Sequence, residues 1–392
     1  MLHDPELARK QGPLPDRPDL ATIAREWGRI GCAGFGGPPA HIALLRQLCV
    51  ERRGWLEARE FEDAIAACNL LPGPASTQLA IFCAWRLRGG VGALVGGACF
   101  ILPGLILILA LAALFLAGSP PRWVKGAGAG AGAAVAAVAV QAGSSLAPDS
   151  WRRARNRIRW LVYLAAGGAA AATLGPWLVL VLLGCGLLEL AIRRVDPVEG
   201  SAPVPLFAAA AGASGGLLGL TWVAFKVGAL SFGGGFVIIP LMQGDAVHRY
   251  HWLTDGQFLN AVALGQVTPG PVVHTVAVVG YAAAGLGGGL LAALVAFSPS
   301  FAFVLFGAEH FDRLRRNESA RAFLNGAGPA AIGAILGTAI PLARALSEGW
   351  QYAVLAGAAV LLFALRRGVV ATLLLAGIAG ALIALVGAKL PR

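Results

Sequence analysis

Residues 89–118, 126–146 and 369–388 each run for 20 residues or more without a charged side chain. A helix needs about 20 mostly apolar residues to cross the hydrocarbon core of a bilayer, so these runs predict transmembrane helices. Of the 392 residues 57% are hydrophobic and only 13% charged, which excludes a soluble globule for most of the chain. Inside lipid the backbone must satisfy its own hydrogen bonds, and the fold class that follows is an all-α polytopic membrane protein. The 54 glycines fit this reading, because helices in lipid pack closely through small residues.

The sequence repeats itself. From position 35 to 74, 15 of 40 residues are identical to those from 232 to 271 with no gap, an offset of 197. The matches include Phe35 with Phe232, Trp55 with Trp252, Phe61 with Phe258 and Pro72-Gly73-Pro74 with Pro269-Gly270-Pro271, which low-complexity Ala/Leu/Gly sequence would not supply by chance. Gly126-Ala127-Gly128 and Gly326-Ala327-Gly328 extend the match after a small length change. The chain therefore divides into an N-terminal segment (1–19), a first repeat (20–195), a linker (196–203) and a second repeat (204–392).

The repeated positions are those where a helix should break. Gly36-Gly37-Pro38-Pro39 interrupts residues 20–50, and Pro72-Gly73-Pro74 interrupts residues 62–86. Kinks alone would explain one such motif. Four at matched places predict discontinuous helices, and irregular backbone at membrane depth is tolerated where it is buried in protein or lines a cavity.

Arginine placement predicts that the two repeats are inverted. The loop after the fourth segment of the first half carries Arg152, Arg153, Arg155, Arg157 and Arg159, against Arg122 and Lys125 after the third. In the second half the order reverses, with Arg313, Arg315, Arg316 and Arg321 after the third segment and no basic residue in Ser347-Glu348-Gly349. Inversion needs an odd number of crossings between the halves, and the apolar run 206–220 is expected to supply the extra one. The net charge of +11 sits in such short loops without interleaved aromatics, so it reads as membrane orientation and not as a nucleic-acid surface. The first thirty residues have no apolar core before a cleavage site and predict no cleavable signal peptide.

Half-helix N-termini carry free N–H groups and roughly half a positive charge each, so several converging termini would suit a dianion. Candidate substrate-binding positions are the breaks themselves (Gly36, Gly37, Pro72, Gly73, Pro74, Gly233, Gly234, Gly235, Pro269, Gly270 and Pro271) and the first turns after them, with Ser76, Thr77, His274 and Thr275 as side-chain donors. Arg29 and Lys226 match at the offset of 197, each six residues before a Phe-Gly-Gly, and suit either anion binding and gating or snorkelling to the headgroups. His41 is a further donor or proton carrier if it is not a packing histidine. Asn69 and Gln266 also correspond, as site amides or as helix-packing groups. No metal or cofactor is expected, since the six cysteines show no paired spacing and read as packing residues. With no His-Glu-x-x-His pattern and no paired intramembrane aspartates, an enzyme is disfavoured.

The strings Gly34-Phe35-Gly36-Gly37-Pro38-Pro39-Ala40-His41-Ile42, Glu51-Arg52-Arg53-Gly54-Trp55-Leu56 and Leu71-Pro72-Gly73-Pro74-Ala75-Ser76 resemble the first half of the chromate ion transporter family. Ser231-Phe232-Gly233-Gly234-Gly235 and Pro269-Gly270-Pro271 resemble its second half, so the likeness spans nearly the whole chain in its long, two-domain form. The resemblance implies a multi-pass protein of the inner (plasma) membrane that expels chromate from the cytoplasm by alternating access, driven by the membrane potential or the proton-motive force. The expected partners are chromate, sulfate as a competitor, the lipid bilayer and, as an option, a second copy of the chain. The alternative is a transporter of sulfate or a related oxyanion coupled to protons, which would need a buried carboxylate such as Glu189 or Asp245.

Overall fold

The computed structural model describes residues 18–116, 118, 120–174, 177–193, 216–231 and 237–391, without the side chains of residues 312 and 315. Most of the run 206–220 lies outside them, as do Gly233, Gly234 and Gly235. Among the described residues the protein is helical, with no strand.

Helix α1 (Leu20–Ala33) opens on Asp19, whose carboxylate accepts the Thr22 N–H at 2.8 Å, and it buries Ile23, Trp27 and Ile30 along one face. It ends at Gly34. Helix α2 (Pro38–Arg46) restarts with two prolines in its first turn, where their missing N–H groups cost nothing, and runs on through a π-turn, Gln47–Arg52. Helix α3 (Ala58–Cys68) leads to the Pro72-Gly73-Pro74 break, followed by α4 (Ala75–Phe115), α5 (Arg122–Arg153), α6 (Arg157–Thr173) and α7 (Leu178–Arg193). The second half repeats this order. It comprises α8 (Leu217–Leu230), α9 (Ile238–Gln243) with its π-turn Gly244–Arg249, α10 (Asp255–Val267), α11 (Thr275–Gly307) after a 3-10 turn at Val272–His274, a short α12 (Phe311–Arg316), α13 (Glu318–Arg344), α14 (Gly349–Ala359) and α15 (Val369–Leu385).

Backbone irregularities recur with the elements. The hairpin glycines Gly73 and Gly270 have φ of +111° and +94°, which glycine alone adopts without strain. The π-turns end next to Gly54 (φ +59°) and His251 (φ +53°). Helix α4 reverses at Arg88 (φ −140°, ψ 25°) and Gly89 (φ +59°, ψ −150°), and α11 at Ala284 (φ −152°, ψ 32°) and Gly285 (φ +64°, ψ −156°). Each of these long elements is therefore two helices folded back on one another. In α4, Gly92 and Gly96 lie against Ala84, and Gly97 against Ile81, so residues 75–87 pack antiparallel to residues 90–115.

The halves interleave. Helix α4 packs on α11, α5 on α13 and α15, and α6 and α7 on α13. These crossings are close because small residues face each other: Gly126 and Gly130 meet Gly380, Gly167 meets Ala330, and Gly337 meets Gly168, leaving no room for a Cβ. Among the described residues four helical segments are long and apolar enough to cross a membrane, and they lie within Ala75–Phe115, Arg122–Arg153, Val272–His310 and Glu318–Arg344. Their outward side chains, such as Leu94, Leu102, Ile106, Leu290 and Leu294, are large, apolar and exposed, as a hydrocarbon solvent requires. The protein is an all-α polytopic membrane protein.

Candidate anion site at the paired helix breaks

The breaks of the two halves meet. The Gly270 N–H donates to the Gly34 carbonyl at 3.0 Å, joining the second-half Pro-Gly-Pro tip to the end of α1. That tip also rests on α4 of the first half, where a Cβ on Gly104 would collide with the Pro269 carbonyl and lie 2.8 Å from the His274 ring. The first-half tip docks reciprocally. A Cβ on Gly73 would lie 3.2 Å from the Gly228 carbonyl of α8 and 3.5 Å from Ser300 Oγ of α11. Gly37 faces Val272, the residue that follows the other tip. Each Pro-Gly-Pro hairpin is thus seated on the opposite half.

A buried hydrogen-bond network fixes the junction. His41 Nε2 lies 2.9 Å from the Gly34 carbonyl, which can only accept, so Nε2 carries the proton. In the neutral ring Nδ1 then accepts from the Ser76 hydroxyl at 3.2 Å, and Phe100 packs edge-on against the imidazole at 5.0 Å. Gln78 Nε2 donates to the Pro72 carbonyl at 2.7 Å and closes the first hairpin. Thr275 spends its hydroxyl on Val272 of its own turn.

Around this network several polar groups are buried without a hydrogen-bond partner among the described residues: Thr77 Oγ1, Gln78 Oε1, Ser231 Oγ, Gln266 Nε2, Ser300 Oγ and a ring nitrogen of His274. Thr77 and His274 occupy equivalent positions, 197 residues apart, in the first turns after the two tips. Buried polar groups normally find partners, and each one left without costs about 1–3 kcal/mol. A cluster of them at two half-helix N-termini can supply donors to a polyoxyanion.

The two matched cations are each paired with an acid. Arg29 is 68% exposed and pairs with Glu26 one turn away at 3.3 Å. Lys226 is 11% exposed and is held by Asp245, which is fully buried on the second π-turn. Asn69 is exposed, whereas Gln266 is buried beside the second tip. Gly36 is exposed and Gly37 half-buried, while Gly73, Pro74, Pro269, Gly270 and Pro271 are buried. Gly233, Gly234 and Gly235 lie outside the described residues.

Sequence reasoning missed Ser300 and the Lys226–Asp245 pair. Ser300 follows Pro299, as Gly104 follows Pro103, at an offset of 196; a one-residue shift in the repeat hides this correspondence.

The chromate transporter family model matches twice, over residues 21–190 and 218–391. A chromate transport protein of Cupriavidus metallidurans is 33% identical over 341 residues, 83% of each chain. Another from Pseudomonas aeruginosa is 30% identical over 376 residues, 91% of this chain and 90% of that one. No solved structure matches. With both halves matched by one family model, and whole-length relatives that are transporters and not enzymes, the chain belongs to the chromate transporter family.

Proposed function

We propose that the protein is an inner-membrane exporter of chromate that holds the dianion among the unpartnered polar groups at the paired breaks. Family membership supports the substrate. The observation that supports the site is the Gly34–Gly270 junction, where the second hairpin tip meets the end of α1 and the first turns after both tips bury polar groups. Thr77, Ser231, Gln266, Ser300 and His274 donate to the oxyanion, and the half-helix termini at Ala75 and Thr275 contribute their positive ends. The opposed arginine distributions of the two halves support inverted repeats and alternating access between them.

Export needs no coupled ion. Moving a charge through the membrane field is worth about 2.3 kcal/mol per 100 mV, so an outward-moving dianion gains roughly twice that from an inside-negative potential. The test is uptake of radiolabelled chromate by inside-out vesicles containing the purified protein under an interior-positive potential. Accumulation that sulfate inhibits is expected; no accumulation under that potential overturns the proposal.

A second reading, proton-coupled transport of sulfate or a related oxyanion, is favoured by one observation. Asp245 is fully buried, with its Oδ1 unpartnered among the described residues, so it is the carboxylate this reading would use to carry a coupling proton. Sulfate movement that follows an imposed pH gradient, in the absence of chromate movement, would select it.

A further inference from the structure

Away from the helix breaks, the N-terminus of α6 and the C-terminus of α7 flank a small, partly open pocket, with room inside for about one water molecule, lined by Arg155, Arg159, Arg193, Glu189, Tyr163 and, from the opposite half, Asn325 of α13. Glu189 is buried and fully engaged. Its Oε1 accepts from Arg193 Nε at 2.9 Å, and its Oε2 accepts from the Tyr163 hydroxyl at 3.1 Å and lies 3.5 Å from Arg159 Nη1. One carboxylate thus positions two guanidinium groups but neutralises only one of the three lining arginines, leaving an excess of two positive charges. Arg159 Nε is buried with no partner among the described residues. Planar guanidinium donors held in place, with charge to spare, suit the tetrahedral oxygens of a phosphate group.

The surroundings indicate which phosphate. Beside the arginines, Ile158, Leu161 and Val162 of α6 and Leu187, Leu188 and Ile192 of α7 are large, apolar and exposed. A phospholipid with its headgroup at the open mouth of the pocket would lay its acyl chains along these side chains. We propose that the Arg155–Arg159–Arg193 pocket binds the phosphate headgroup of an anionic phospholipid, and that Glu189 and Tyr163 are positioning residues for its arginines. Because Asn325 and the adjacent Gly326 belong to the second half, and Gly326 packs on Cys185 and Glu189, the bound headgroup sits on a seam between the halves.

The test is native mass spectrometry of the full-length protein in neutral detergent, titrated with dioleoyl phosphatidylglycerol, with dioleoyl phosphatidylcholine or with inorganic phosphate. Selective retention of phosphatidylglycerol is expected, with affinity falling about tenfold in Arg159→Gln and in Arg155→Gln, the loss of one charge-assisted hydrogen bond. Arg157→Gln, which removes a neighbour stacked on Trp151 at 5.3 Å, should leave it unchanged. Arg155 lies outside the Glu189 pairs, so its variant reports binding even if Arg159→Gln fails to fold. Unchanged phosphatidylglycerol affinity in Arg155→Gln overturns the proposal, as does displacement of the lipid by inorganic phosphate.

Discussion

Gly270 gives its N–H to the carbonyl of Gly34 across 3.0 Å, so a main-chain bond between residues 236 positions apart fastens the hairpin of one half to the broken helix of the other. The same carbonyl holds His41, and His41 holds Ser76. Any motion that separates the halves here must break this chain of bonds or carry it as a unit.

Replacement of Gly104 tests the close approach beneath that junction. A methyl group there meets the Pro269 carbonyl, a backbone atom that cannot swing aside. Gly104→Ala should destabilise the protein by about 1–3 kcal/mol and abolish transport. Gly184→Ala, on the open surface of α7, should be neutral or stabilising. Thermal unfolding in detergent, paired with vesicle flux, checks both.

Ser76→Ala removes the hydroxyl that serves His41 Nδ1 and leaves a buried ring nitrogen without a partner. A loss of about 1–3 kcal/mol is expected, with much of it restored by Ser76→Thr. Denaturation midpoints of the two variants measure this directly.

The matched cations should behave differently. Asp245→Asn strands the Lys226 ammonium among buried groups and should cost about 3–5 kcal/mol, which Lys226→Met in the same chain should largely recover. Arg29→Ala breaks an exposed pair worth at most about 1 kcal/mol and should leave transport intact.

Asp19 caps α1 through Thr22, whose hydroxyl and N–H together hold its carboxyl below the usual value of 3.8. A depressed carboxyl contributes stability that is fully present above the unfolded value and is lost as pH falls through the folded one. Amide exchange at Thr22 should therefore accelerate, relative to neighbouring helix amides, only on acidification below that range. In Asp19→Asn this added acid dependence should disappear.

The helix breaks were legible in the sequence because proline and glycine act locally: α1 ends and α2 begins around Gly36-Gly37-Pro38-Pro39, and α3 gives way to α4 across Pro72-Gly73-Pro74. Their pairing was not, since the bond from Gly270 to Gly34 is set by how α4 and α11 pack across the two halves. Arg29 and Lys226 are equivalent in the repeat but not in environment. The π-turn that brings Asp245 to Lys226 carries Leu48 at the matching place in the first half, so Arg29 finds its acid in Glu26 on its own exposed side. The reversal at Arg88–Gly89 also escaped sequence reading, because one glycine with φ of +59° turns the chain where hydropathy runs on unbroken.

The most direct test of the proposed site is the equilibrium affinity of the purified protein for chromate in Thr77→Ala and Ser300→Ala, with thermal unfolding measured on the same samples. Both hydroxyls are buried and unpartnered among the described residues, so their removal should leave stability unchanged or slightly raised. If they donate to the anion, each substitution should weaken chromate binding by about tenfold or more, the worth of a hydrogen bond to a charged group. Chromate affinity equal to wild type in both variants would contradict the site at the paired breaks.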